Sequence, residues 1–305
     1  MKLWKEYAVE PTLFSDYHLG CEILSGVGIE NGRVIGALPR KWEREVRRAT
    51  VGQREIQRKR IEERLLALRT AIVPRTFEWN GGRSWREQVL EAHAEKPFDG
   101  LLLNGAVNDP AAIDATLGLQ DGPCWESSRR LEVPRNGSAL AGALAYLLRQ
   151  AREVLLVDAY FNPSTQLDQS KWLKPLHAIA RALPKDGRLT RFEVHTLDSR
   201  VPRLQWAPGT FVNHCRSNLP SAVPGDLTVK AVLWSERDGG LQFHERLIFT
   251  DIGGVVVDPG IDEGGAGETY VLRLLSKSEI PAYFAKFDPA TSPYNVVDEV
   301  AIRGA

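Results

Sequence analysis

The chain has 305 residues, 39 Lys and Arg against 39 Asp and Glu, and 43% apolar side chains. This composition excludes a disordered tail and a uniformly cationic surface, so any attraction to nucleic acid or anionic lipid must come from a local patch. Three cysteines, Cys21, Cys124 and Cys215, lack CxxC spacing and the six histidines are scattered. That pattern excludes a disulfide scaffold and points to reduced thiols in a cytoplasmic protein with no metal site and no cofactor.

The N-terminus MKLWKEYAVEP has no apolar stretch of a secretory signal, and no run approaches the roughly 18 apolar residues of a membrane span. Three regions then differ in texture. Residues 1–75 read as a basic helical region. Phe14, Leu19, Ile23, Leu24 and Val27 recur at helical spacing, and Pro39 stands where a second helix opens, through Trp42 and Val46. Ile56, Ile61, Leu65 and Leu68 stripe a longer helix that ends before Pro74. Between Arg33 and Arg75 lie 13 Lys or Arg against five Glu. Arg44, Arg48 and Arg58 are therefore candidates for contact with phosphates, against the alternative of a solvated helix face with pairs such as Glu55–Lys59.

Residues 76–137 read as a small α/β connector. Ser84 and Glu87 form a capping box for a helix through His93, and Phe98–Leu103 reads as a short buried strand. Asn104–Pro134, rich in Gly, Pro and Asp, reads as loop with one short helix.

Residues 138–305 alternate between strand and helix. A helix at Ala139–Ala151 leads to a strand at Val154–Phe161, a helix at Leu167–Leu183 and a strand at Arg191–Leu197. An irregular or helical passage around Phe211–Asn218 precedes strands at Leu227–Trp234, Leu241–Thr250 and Gly254–Asp258, then a strand and helix near Tyr270–Phe287. The fold class expected is α/β, a mostly parallel or mixed sheet with helices on both faces, preceded by a mainly helical region.

The candidate catalytic residues are His244, Arg246 and Asp251, spaced H-x-R-x-x-x-x-D. On a strand, His244 and Arg246 share a face and can converge on one anion. Imidazole is nucleophilic near neutral pH, and an adjacent cation stabilises charge developing on phosphoryl oxygens. Asp158 stands at a strand end where open α/β sheets place ligands, and Tyr160 shares its face; both are candidate substrate-binding residues. His195, on a period-two strand, reads as a satisfied core histidine. His214 lies in irregular chain, and Asp262-Glu263 precede Gly264-Gly265 in a loop.

The H-x-R-x-x-x-x-D spacing resembles the phospholipase D signature H-x-K-x-x-x-x-D. Val154–Phe161 is similar to that family's first strand, three apolar residues followed by D-x-Y-F/L. The tail from Phe243 to Asp262, ending Gly260-Ile261-Asp262, resembles the phospholipase D-like domain at the C-terminus of MIT-domain proteins. The resemblance covers about half the chain, with Arg246 at the family's lysine and no Gly-Ser-x-Asn element after the motif. It implies a phospholipase D-like half-domain in which a histidine attacks phosphorus while the basic residue holds the oxygens. Active members pair two motifs, so a single copy implies a homodimer. Bacterial relatives occur among phage-defence genes, which implies a nuclease or phosphodiesterase, or a non-catalytic module binding nucleic acid, lipid headgroups or defence-complex proteins.

Overall fold

In the computed structural model, residues 2–119, 125, 129–198 and 206–305 are described. The chain divides into two compact units, residues 2–129 and 130–305.

The N-terminal unit is built on five parallel strands: β1 (Lys5–Val9), β2 (Arg33–Ala37), β3 (Ile72–Pro74), β4 (Gly100–Leu103) and β5 (Ala112–Asp114), ordered β3-β2-β1-β4-β5. This is the order of a doubly wound sheet, whose topological switch lies between β1 and β4. Helices α1 (Tyr17–Gly26), α2 (Trp42–Ala49) and α3 (Glu55–Ala67) fall where the apolar periodicity places them. Asp16 caps α1, accepting from the His18 and Leu19 amides. Trp42 anchors α2 by donating its indole N–H to the Val9 carbonyl at 2.6 Å. Helix α4 (Trp85–Glu95) begins with the Ser84–Glu87 capping box and packs Val89 and Ala92 against Ala8, Phe98 and Leu101.

Residues 1–75 thus hold three strands besides the expected helices, and 76–129 completes the same sheet instead of forming a separate connector. The strands escape a periodicity search for a physical reason. Buried parallel strands read as short apolar runs such as Tyr7-Ala8-Val9, without polar alternation.

The C-terminal unit carries an eight-stranded mixed sheet. Its elements are β6 (Arg130–Pro134), α5 (Gly137–Gln150), β7 (Glu153–Asp158), α6 (Leu173–Ala182), β8 (Arg191–Leu197), α7 (Thr210–Ala222), β9 (Thr228–Ser235), β10 (Arg246–Thr250), β11 (Gly253–Asp258), β12 (Thr269–Leu274), α8 (Glu279–Lys286) and β13 (Asn295–Arg303). The order is β13-β9-β8-β7-β10-β11-β12-β6. Strands β7, β8 and β9 run parallel through helical crossovers, while the remaining pairings are antiparallel. The α/β class and the mixed sheet are those the strand and helix alternation implies. Strand β6, read from sequence as loop, closes the far edge against β12, and β13 adds the other edge.

One face of this sheet buries Leu155, Val157, Trp234, Phe243, Phe249 and Phe287 beneath α8. By alternation Leu156 and Asp158 point to the opposite face. Among the described residues, no helix is long and apolar enough to cross a membrane.

Candidate functional site

Strand β10 starts at Arg246, so the residues before it are positioned by anchors and not by a ladder. Phe243 is fully buried and stacks on Tyr294 with centroids 5.2 Å apart. Its amide donates to Glu236 at 2.8 Å, and the Tyr294 hydroxyl donates to the Gln242 carbonyl at 3.1 Å. With Phe243 turned into the core, His244 projects outward and is exposed. Its Nε2 lies 2.8 Å from the Gln242 amide oxygen. That oxygen only accepts, so Nε2 carries a proton, and in the neutral ring Nδ1 is the nitrogen with the lone pair.

Arg246 lies opposite Asp158 in the β10–β7 register. Its Nη1 donates to the Pro259 carbonyl, and its guanidinium sits 5.0 Å over the Tyr160 ring. Asp158 is only 2% exposed, and its carboxylate accepts from the Tyr160 amide at 2.9 Å and the Ile261 amide at 2.8 Å. Burial raises the Asp158 pKa above the usual carboxylate value; the two amides and Arg246 oppose that rise without cancelling it. Gly260, at φ +151°, closes the turn: a Cβ there would lie 3.0 Å from Asp262 Oδ1 and 3.1 Å from Asp158 Oδ2. Arg135 braces the far side, bonding Asp262 at 2.6 Å and Glu268 at 2.7 Å. The buried Tyr270 hydroxyl donates to the Ile261 and Asp262 carbonyls.

His244 and Arg246 open onto a cavity of about 520 Å³ whose lining also includes Arg130, Arg273, Glu245, Asp258 and Tyr283. Arg130 is held by Glu132 at 2.5 Å. Arg273 makes no hydrogen bond or ion pair among the described residues and is exposed. Three guanidiniums and an imidazole therefore share one opening with two carboxylates, Asp258 and Glu245, the latter paired with Lys286. Such a set suits a planar or tetrahedral oxyanion.

The structure brings His244 and Arg246 to one cavity, with Asp158 and Tyr160 supporting Arg246 from below. It does not bring Asp251 there. That residue lies beyond the other end of β10, roughly 17 Å along the strand from Arg246 at about 3.3 Å per residue. Its Oδ1 accepts from the Arg152 and Glu153 amides at 2.8 and 3.2 Å, so it braces the turn into β7. Arg44, Arg48 and Arg58 belong to α2 and α3 of the N-terminal unit and line no part of this cavity. Arg48 pairs with Glu45 at 2.9 Å, and the Arg58 Nε is buried. Arg130 and Arg273 were missed because only the β11–β12–β6 register, Val256 to Arg273 to Arg130, aligns them with the motif strand.

The other candidates are structural. His195 is buried, donates Nε2–H to Glu193 at 3.0 Å and accepts from the Trp234 indole at 2.9 Å, a core histidine as its strand position implies. His214 sits on α7 against Trp206, with ring centroids 5.9 Å apart. Glu263 accepts from the Gly137 amide at the start of α5. Cys215 is buried, which pushes its thiol up to about 12; Cys21 is half-buried, and Cys124 lies outside the described residues. Among the described residues, no group of three or more His, Cys, Asp or Glu is placed to hold a metal ion.

Fold and cavity together define a mixed α/β domain with a cationic site beside the carboxyl end of its central strand β7. No protein-family model matches the chain, and no curated protein does. Among solved structures, one described as TrmBL2, an archaeal chromatin protein with a novel mode of DNA binding, aligns at 14% identity over 79% of this chain and 67% of that one, with a TM-score of 0.27.

Proposed function

We propose that the C-terminal unit is a phosphodiester-directed domain of phospholipase D-like type, with the cavity of His244 and Arg246 as its site. The observation carrying this reading is that His244, Arg246, Arg130 and Arg273 line a single cavity. Arg246 is preset by Tyr160 and Pro259, so little freedom is lost when it grips an oxyanion. Nucleic acid is the proposed ligand class, in a cytoplasmic protein that works as a homodimer or within a defence complex.

Hydrolysis is a second reading, favoured by the exposed His244 with its free Nδ1. There Nδ1 attacks phosphorus, and the P–O bond to the leaving group breaks as a partner copy's histidine supplies the proton. Water then cleaves the P–N bond. Against turnover, the partner of Nε2 is a neutral amide and not a carboxylate that would orient and activate the ring.

The test is titration of the full chain with a fluorescent oligonucleotide, alongside cleavage of that oligonucleotide with and without EDTA. Arg246→Ala should weaken binding about tenfold or more, since bonds from charged donors contribute roughly 1.5–3 kcal/mol. His244→Ala should spare affinity and abolish any cleavage. Wild-type affinity in Arg246→Ala would refute the assignment.

A further inference from the structure

The N-terminal unit contains a second cationic cavity, distinct from the His244 site. It encloses about 330 Å³ at the carboxyl ends of β2 and β3, where the chain leaves Ala37 and enters α2. Its rim carries Arg40, Lys41, Arg44 and Arg47, and its wall is apolar, formed by Ile72 and Pro74.

The basic residues of α2 and α3 are not equivalent. Away from the cavity Arg48 is engaged with Glu45 at 2.9 Å, Lys59 with Glu55 at 2.8 Å, and Arg64 with the Cys21 carbonyl at 2.8 Å. Arg58, by contrast, lines no part of the cavity and has a buried Nε without a hydrogen-bond partner among the described residues. On the rim, the side chains of Arg40, Lys41 and Arg44 make no hydrogen bond or ion pair among the described residues. Glu43 is the rim's carboxylate, and it is tied to Arg47 at 3.5 Å. Like charges crowded round a concavity repel one another, and a bound anion relieves that repulsion.

The usual ligand position of a doubly wound sheet is closed. At the switch between β1 and β4 stands Glu10, whose carboxylate accepts from the Asn104 amide at 3.0 Å and from Arg86 at 3.1 Å. A carboxylate there repels phosphate, and the loop after β1, Glu10-Pro-Thr-Leu-Phe-Ser-Asp16, has no glycine to let a pyrophosphate approach the backbone. The free cations stand to one side of the switch, at the ends of β2 and β3, the first and second strands beyond β1.

We infer that this cavity binds the phosphate of a small phosphate monoester of mononucleotide size, its apolar body lying along Ile72 and Pro74. The volume lies at the small end of ligand sites, which suits a compact molecule more than a polymer backbone. The inference is independent of the function proposed for the C-terminal unit.

Isothermal titration of the full chain with adenosine 5′-monophosphate tests it, with adenosine and an oligonucleotide lacking terminal phosphates as comparators. The expected result is binding of the monophosphate but not of adenosine. Affinity should fall about tenfold or more in the exposed double variant Arg40→Ala/Arg44→Ala, and stay unchanged in Arg48→Ala and in Arg246→Ala. Absence of monophosphate binding, equal loss in Arg48→Ala, or an unchanged double variant overturns the inference. So does tighter binding of the unphosphorylated oligonucleotide through the same residues, which would assign the rim to a nucleic-acid strand. Loss in Arg246→Ala alone would place the monophosphate in the other cavity, leaving the C-terminal proposal standing and this one refuted.

Discussion

Gly260 is the point at which the turn behind Arg246 tolerates no side chain. The backbone there has φ +151°, a region essentially reserved for glycine, and forcing another residue into such a conformation costs about 1–3 kcal/mol. The methyl of Gly260→Ala would also meet two carboxylate oxygens, Asp262 Oδ1 at 3.0 Å and Asp158 Oδ2 at 3.1 Å, with Arg246 Cδ at 3.6 Å. Asp158 Oδ2 cannot retreat freely, because it is buried and accepts from the Ile261 amide at 2.8 Å. Weakening that bond adds about 1 kcal/mol, for a total of roughly 2–4 kcal/mol. In a unit of this size each kcal/mol moves the melting temperature by about 2–4 °C, so calorimetry of Gly260→Ala should show the C-terminal unit melting roughly 5–15 °C lower. Oligonucleotide affinity should fall with it, since the turn also carries the Pro259 carbonyl that holds Arg246. Melting within about 2 °C of wild type would refute the claim that this turn is sterically locked.

Three further outcomes follow from neighbouring observations. Asp251→Ala removes an acceptor from the Arg152 and Glu153 amides at an exposed turn, so denaturant unfolding should show a loss of about 1 kcal/mol while oligonucleotide affinity stays within about twofold of wild type; a large affinity loss at intact stability would return Asp251 to the site. Glu193, bonded to His195 and Arg191, has its carboxyl lowered from 4.5 to about 2 against the opposing effect of burial. Its contribution is therefore complete above about pH 4.5 and lost as pH falls toward 2, so Glu193→Gln should abolish roughly 3 kcal/mol of that acid dependence; parallel stability curves for the two proteins would show the carboxylate is not held low. Ser84→Ala deletes the acceptor for the Glu87 amide in the capping box of α4 and should destabilise the N-terminal unit by about 1 kcal/mol in chemical denaturation, with an unchanged midpoint counting against the cap.

Features written in contiguous residues were legible in the sequence, and those written in strand pairing were not. The Ser84–Glu87 box, the stripes of α1 to α3 and strand β8 all follow from local spacing, whereas His244 lies before β10 and reaches the cavity of Arg246 through the anchoring of Phe243 instead of strand alternation. Asp251 illustrates the failure: spacing along a chain gives contour length, and a strand carries that length away from its start. Arg130 and Arg273 are 143 residues apart and become neighbours only because β6 pairs with β12. The same holds for Arg135 and Asp262, joined across 127 residues to brace the turn beside Arg246. Strand β6 was hidden for a related reason. An edge strand with the pattern Arg130-Leu-Glu-Val-Pro134, closed by proline, carries the signals of loop as strongly as those of strand.

A formal charge of zero conceals how the two signs are used. Most carboxylates of the C-terminal unit are spent on backbone and bracing: Asp158 on the Tyr160 and Ile261 amides, Glu245 on Lys286, Glu263 on the Gly137 amide, Asp262 with Glu268 on Arg135, and, at the far end of β10, Asp251 on the Arg152 and Glu153 amides. In the N-terminal unit, Glu10, Asp16 and Asp99 likewise accept from amides. A carboxylate facing an amide dipole at bonding distance projects little field into a cavity elsewhere, whereas an unpaired guanidinium on a cavity rim projects its whole charge there. Neutral composition is thus compatible with two locally positive cavities. The field in each is set by which arginines lack partners and not by the sum of charges. The arrangement also fixes the sign of the salt effect: added electrolyte screens the exposed rims while leaving the short carboxylate bonds intact, so anion binding weakens at ionic strengths where stability is hardly changed.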